Sequence, residues 1–141
     1  MKSSTVILPG IRSVGFTDCE GLPSNVALRS IARMDVPLLV GVEEVDFFGE
    51  PQCECRTEHD GAEVTQCATL KFHTSAELPS WRRLAFVVED VSGRKFLIGA
   101  HERPYPQVSV TASTGLPSGE AAGFEVEVTH KAIRTLIPLI P

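Results

Sequence analysis

At 141 residues, 43% hydrophobic and 22% charged, the chain has the size and composition of one globular domain that can bury its core without metal or disulfide. Thirteen Lys and Arg against eighteen Asp and Glu leave a net charge of −5, and the basic pairs Arg82–Arg83 and Arg94–Lys95 stand apart, which argues against a nucleic-acid surface. No apolar run approaches the roughly 20 residues that cross a bilayer, and the apolar stretch near Met1 is too short for a signal peptide. A cytoplasmic protein with no membrane partner, or one assembled there into something larger, is expected.

Val6 to Phe16 reads as extended and is interrupted at Pro9–Gly10. After a turn at Glu20–Pro23, Ser24 or Asn25 can cap a short helix running to about Met34, which Pro37 stops. Leu38 to Phe48, rich in Val and Phe, reads as a strand interrupted at Gly41, and Gly49-Glu50-Pro51 as a turn. Cys53–Glu58 and Glu63–His73 form a hairpin about Asp60–Gly61. Glu77–Trp81 is a linker or one helical turn.

Leu84–Val91 and Arg94–Ala100 then read as a hairpin closed by the two residues Ser92–Gly93. That register sets Asp90 opposite Lys95, Val88 opposite Leu97 and Val87 opposite Ile98. Both faces are apolar mid-strand, so the hairpin is expected to be covered on both sides and central to the fold or to an assembly. The prolines of Arg103-Pro104-Tyr105-Pro106 interrupt any ladder. Val108, Val110 and Ala112, and then Phe124, Val126 and Val128, alternate with polar residues as strands with one wet face. Thr114–Gly123 between them reads as a polar loop. The apolar end, Ile133–Pro141, is either a docked edge strand or a contact for another subunit, with Ile137 and Leu139 as its partner-binding candidates. The expected architecture is one mostly β domain over 1–141, an antiparallel β-sandwich or barrel with one short helix.

The chemical candidates are few. Cys53, Cys55, His59 and Cys67 offer three thiols and an imidazole, the donor set of a tetrahedral zinc site. Cys53 and Cys55 share a strand face, because side chains alternate with a period of two. A two-residue Asp60–Gly61 turn sets Cys67 opposite Glu54, facing away from both. A three-residue His59–Gly61 loop sets it opposite Cys53, and only then can a metal or a bridge form. Cys19 and these three also suit a reading as free thiols packed like small apolar residues. His73, His101 and His130 do not cluster in sequence, and Glu125 with Glu127 reads as a solvated strand face. No Gly-rich phosphate loop or nucleophile elbow is present, so neither a cofactor nor a catalytic residue is expected. Trp81 and Tyr105 flank the central hairpin, as core plugs or as anchors for a partner.

The segment Ser80–Gln107, with its hairpin, its Leu97-Ile98-Gly99 run and its Pro104-Tyr105-Pro106 run, resembles small proteins from the virion-structure regions of tailed phages and prophages, particularly of gut Bacteroides-type bacteria. The resemblance implies a non-enzymatic, β-rich tail or neck component that self-assembles, with copies of itself or other virion proteins as partners. Two other readings fit the residues. One is a ligand- or carbohydrate-binding sandwich that stacks its ligand on Trp81 or Tyr105. The other is a small domain stabilised by zinc at Cys53, Cys55, His59 and Cys67.

Overall fold

The first two extended segments of the chain go to different sheets. The computed structural model describes residues 2–7, 10–22, 42–60, 63–75, 78, 82–101, 105–113, 123–132 and 135–139. They form ten strands: β1 (Lys2–Ile7), β2 (Ile11–Asp18), β3 (Glu43–Val45), β4 (Phe47–Asp60), β5 (Glu63–Thr74), β6 (Leu84–Asp90), β7 (Lys95–Ile98), β8 (Gln107–Ser113), β9 (Gly123–Ala132) and β10 (Ile137–Leu139). Sheet A has the order β1-β4-β5-β9-β8 and sheet B the order β10-β7-β6-β2-β3, and every pairing is antiparallel. The two sheets pack face to face as a sandwich.

Alternation builds the core between them. Sheet A contributes Cys53, Ala68, Leu70, Phe72, Val126 and Val128, and sheet B contributes Val14, Phe16, Val45, Phe86, Val88 and Ile98. Phe72 and Phe86 meet across the layer edge to face, with ring centroids 6.3 Å apart at 60°. Each such side chain contributes about 1.5–3 kcal/mol by leaving water. A second apolar cluster lies on the outer face of sheet B, where Ala85, Leu97, Ile137 and Leu139 pack with Cys19, Leu22 and the half-buried Tyr105. The β6–β7 hairpin is therefore covered on both faces, with β6 in the middle of its sheet.

Three local expectations are corrected. The β6–β7 hairpin is slipped by one residue: Glu89, not Asp90, faces Lys95, and Val88 faces Phe96. The turn spans three residues, Val91–Gly93, with Gly93 at φ +88° and its N–H donating to the Asp90 carbonyl at 3.1 Å. Only glycine takes that conformation at little steric cost. Residues 49–51 are not a turn. The strand β4 runs through them with a shift in register between Phe48 and Gln52, and a proline, which has no N–H to give, is tolerated at such a bulge. The β4–β5 hairpin closes on Asp60 opposite Glu63, which leaves residues 61 and 62 between the strands instead of 60 and 61. The helix expected over residues 24–34 lies outside the described residues, as do all but Leu78 of residues 77–81 and all but Gly123 of the polar loop at 114–123. Gly123 itself opens β9. The one helical turn among the described residues is the 3-10 turn Cys19–Gly21.

Candidate functional site

The register of β4 against β5 decides the fate of the cysteines. Cys67 lies opposite Arg56, in neither of the two positions that the turn chemistry suggested. Paired residues share a face, so Cys67 is on the outer face of sheet A while Cys53 and Cys55 point into the sandwich. Cys53 is 2% exposed and Cys55 5% exposed. His59 has the inward parity of Cys53 and Cys55, but it stands exposed at the far end of the strand, four residues beyond Cys55. At about 3.4 Å per residue this is near 14 Å, far more than zinc can bridge. The structure thus keeps Cys53 and Cys55 together and sets His59 and Cys67 apart from them, and among the described residues no three His, Cys, Asp or Glu side chains converge as a metal would require.

The inward thiols have structural surroundings. Burial, with the nearby Cys55 and Glu54 adding to it, pushes the Cys53 thiol up to about 12. Burial likewise raises Cys19, with an N–H from Ala100 partly offsetting it. Cys55 Sγ lies 3.4 Å from Thr135 Oγ1, and the Thr135 N–H donates to Gln66 Oε1 at 2.9 Å. These contacts fix the segment that leads from β9 in sheet A to β10 in sheet B. No side-chain pattern announces that tie in the sequence, because its partners are 69 and 80 residues apart.

The partner-binding candidates fare differently from one another. Ile137 is fully buried and Leu139 is 8% exposed. Both lie in β10, which pairs with β7 and sets Ile137 opposite Leu97. Within the apolar end, the described strand Ile137–Leu139 is thus docked on its own chain, and these two side chains are not a surface for another. Tyr105 packs into the outer cluster of sheet B, and the Arg83 guanidinium lies 4.7 Å from its ring centroid. That cation occupies a ring face which a stacking ligand would need. Trp81 lies outside the described residues.

What remains open is sheet A. Its outer face carries Glu54, Arg56, Glu58, Lys71, Glu125, Glu127 and Lys131. A shallow depression of about 230 Å³ lies there around Cys67, lined by Arg56, Glu58, Thr65 and Lys131 among others. Cys67 sits between two cations in register, Arg56 on β4 and Lys131 on β9. The edges of the two sheets also differ. Sheet B ends on strands of three residues each, β3 and β10, and β10 carries Pro138. Sheet A ends on β1 with six residues and β8 with seven. Among the described residues, no strand pairs with the outer side of either. Backbone N–H and C=O groups on such an edge are a template for another strand. The sequence signal for this is the pattern of β8, which is alternating, uncharged and free of proline, but only the strand order makes it an edge.

No protein-family model, curated protein or solved structure matches the chain.

Proposed function

We propose that this chain is a non-enzymatic assembly subunit that acts by associating with other copies of itself. The observation that carries the reading is the contrast in strand edges. Sheet B is bounded by three-residue strands, whereas sheet A is bounded by strands of six and seven residues. Small β domains gain both affinity and specificity when such edges are completed by a neighbour's backbone. The virion setting, as a tail or neck component, rests on the resemblance of residues 80–107 alone.

Sedimentation velocity over a wide range of protein concentration tests the reading. The weight-average mass is expected to rise above that of the monomer as concentration increases. A single monomeric boundary at every concentration overturns it.

A further inference from the structure

We propose that the outer edge of β8 docks a second copy of this chain, strand β8 pairing antiparallel with the copy's β8 about a twofold axis. This rests on the assembly reading and specifies the surface that it uses. The strand reads Gln-Val-Ser-Val-Thr-Ala-Ser over Gln107–Ser113 and spans about 24 Å. It pairs with β9 on one side, and no described strand lies on the other. The usual guards of an open edge are a lysine, a proline, a bulge or a very short strand. The other sheet has short edge strands and Pro138. Strand β8 has none of these guards.

Its inward side chains are left half-finished. Val108 and Val110 pack against the main core yet stay only partly buried. A further strand would continue the same apolar layer past them. Antiparallel pairing centred on Val110 sets it against its own symmetry mate, Val108 against Ala112, Ser109 against Thr111 and Gln107 against Ser113. Side chains alternate with a period of two, so this register puts apolar residues against apolar residues on one face and uncharged polar residues against uncharged polar residues on the other. It is also the face-preserving register that uses all seven residues of both strands.

Charge points to a second copy as the occupant. Strand β8 has no charge with which to repel itself, and none with which to select an oppositely charged partner. The acidic Glu125 and Glu127 belong to β9, one strand further in. In the paired state Glu125 lines up with the copy's Glu127 across three strand spacings, about 14 Å. This exceeds the screening length of about 8 Å at physiological salt. A seven-residue strand pair is a small interface, so the expected dimer is concentration-dependent and strengthens where copies are held together.

Charge exchange on the exposed face tests the register. Ser109 and Thr111 are both exposed, so neither substitution disturbs the core. Sedimentation equilibrium is run on the full chain in three forms: wild type, Ser109→Glu/Thr111→Glu and Ser109→Lys/Thr111→Glu. The first variant sets like charges opposite each other twice across the axis and is expected to raise the dimer dissociation constant about tenfold. The second sets opposite charges there and is expected to return it to within about threefold of wild type. Equal self-association in all three forms overturns the β8 interface and leaves the assembly reading standing. Loss of association in both variants overturns the twofold register. Open-ended growth of the wild type that ignores both variants assigns assembly to another surface. A wild type that stays monomeric removes the assembly reading itself.

Discussion

The two sheets, of five antiparallel strands each, use the same grammar to opposite ends. Sheet B buries its inner face against sheet A and, over Ala85, Leu97, Ile137 and Leu139, part of its outer face beneath Cys19, Leu22 and Tyr105. Sheet A buries one face and shows the other to water, with Glu54, Arg56, Lys71 and Glu125 exposed along it. Sheet B ends on three-residue strands and sheet A on strands twice as long. Sheet B accordingly anchors the fold, while sheet A is the part of the described molecule with backbone and surface to spare. Substitutions in sheet B should act on stability, and those on the outer face and edge of sheet A should act on association.

The largest effect should come from the layer between the sheets. Phe86→Ala removes a fully buried ring that meets Phe72 edge to face, and a loss of about 3–5 kcal/mol is expected from urea unfolding. A loss below about 1 kcal/mol would mean that the sheets are not held by this contact. The next effect comes from the outer face of sheet B. A Cβ on Gly99 would lie 2.5 Å from the Ala85 Cβ and 3.1 Å from the Ala85 Cα, at a φ of +152°. Gly99→Ala should therefore cost about 1–3 kcal/mol through overpacking. Ala85→Gly in the same chain should recover part of that loss, because it removes the closest of those atoms. Absence of any coupling between the two sites, measured as a double-mutant cycle, would break the picture of a closely covered outer face.

A smaller effect separates the two faces of sheet A. Cys53→Ser places a hydroxyl in an apolar layer and should cost about 1–3 kcal/mol. Cys67→Ser, on the half-exposed outer face, should change stability by no more than about 0.5 kcal/mol. Reaction with a thiol reagent near pH 8 gives the same contrast without mutation. Cys67 reacts in the native protein, whereas Cys19, Cys53 and Cys55 react only on unfolding, because burial both hides Cys53 and raises its thiol to about 12. Rapid native reaction of Cys53 would contradict the face assignment.

Alternation was the legible part of the sequence. Val126 and Val128 against Glu125 and Glu127, and the apolar stretch Leu84–Val88, correctly implied one half-wet sheet and one strand covered on both sides. The paired strands on either side of residues 61–62 were legible for the same reason. Register was not legible, because it depends on how many residues a turn consumes. One residue more or less carries every side chain to the other face. That happened at β6–β7, where the turn takes three residues instead of two. At β4–β5 the loop keeps two residues but sits one position later, so the pairing moves by two. Cys67 lies opposite Arg56 instead of Glu54, and it still faces away from Cys53 and Cys55 as a two-residue turn implies. The apolar end posed a different difficulty. Periodicity says that Ile137 and Leu139 want burial, but not whether their own chain or another supplies it. Here β7 does, and a tie between Cys55 and Thr135 brings the segment to it.

The turn that misled the β6–β7 register provides the smallest of the expected effects, and it shows why sheet B closes so firmly. Asp90 is buried at the end of β6, yet it ionises readily. Loss of hydration pushes its carboxyl up. Hydrogen bonds from the Arg94 backbone and guanidinium, the Arg94 charge and the Ser92 N–H outweigh this, so its pKa is lowered. Oδ1 accepts from the Ser92 N–H at 2.9 Å and the Arg94 N–H at 3.0 Å, while Oδ2 accepts from Arg94 Nε at 3.0 Å. The carboxylate thus caps the three-residue loop from within, as Asp commonly does in turns. A group whose folded pKa lies below its unfolded value stabilises the fold above the unfolded value, 3.8, and loses that contribution as pH falls through the folded one. Asp90→Asn keeps the shape and loses the charge. The variant should therefore have a lower unfolding midpoint than wild type at pH 7, and the gap should narrow as pH falls below about 4. The Asp18 carboxyl, held down by Arg82, is lowered likewise and is present in both proteins, so it cancels from the difference. A gap that stays constant between pH 7 and pH 2 would show that the Asp90 charge contributes nothing to the turn, and that loop length and Gly93 alone set the register of sheet B.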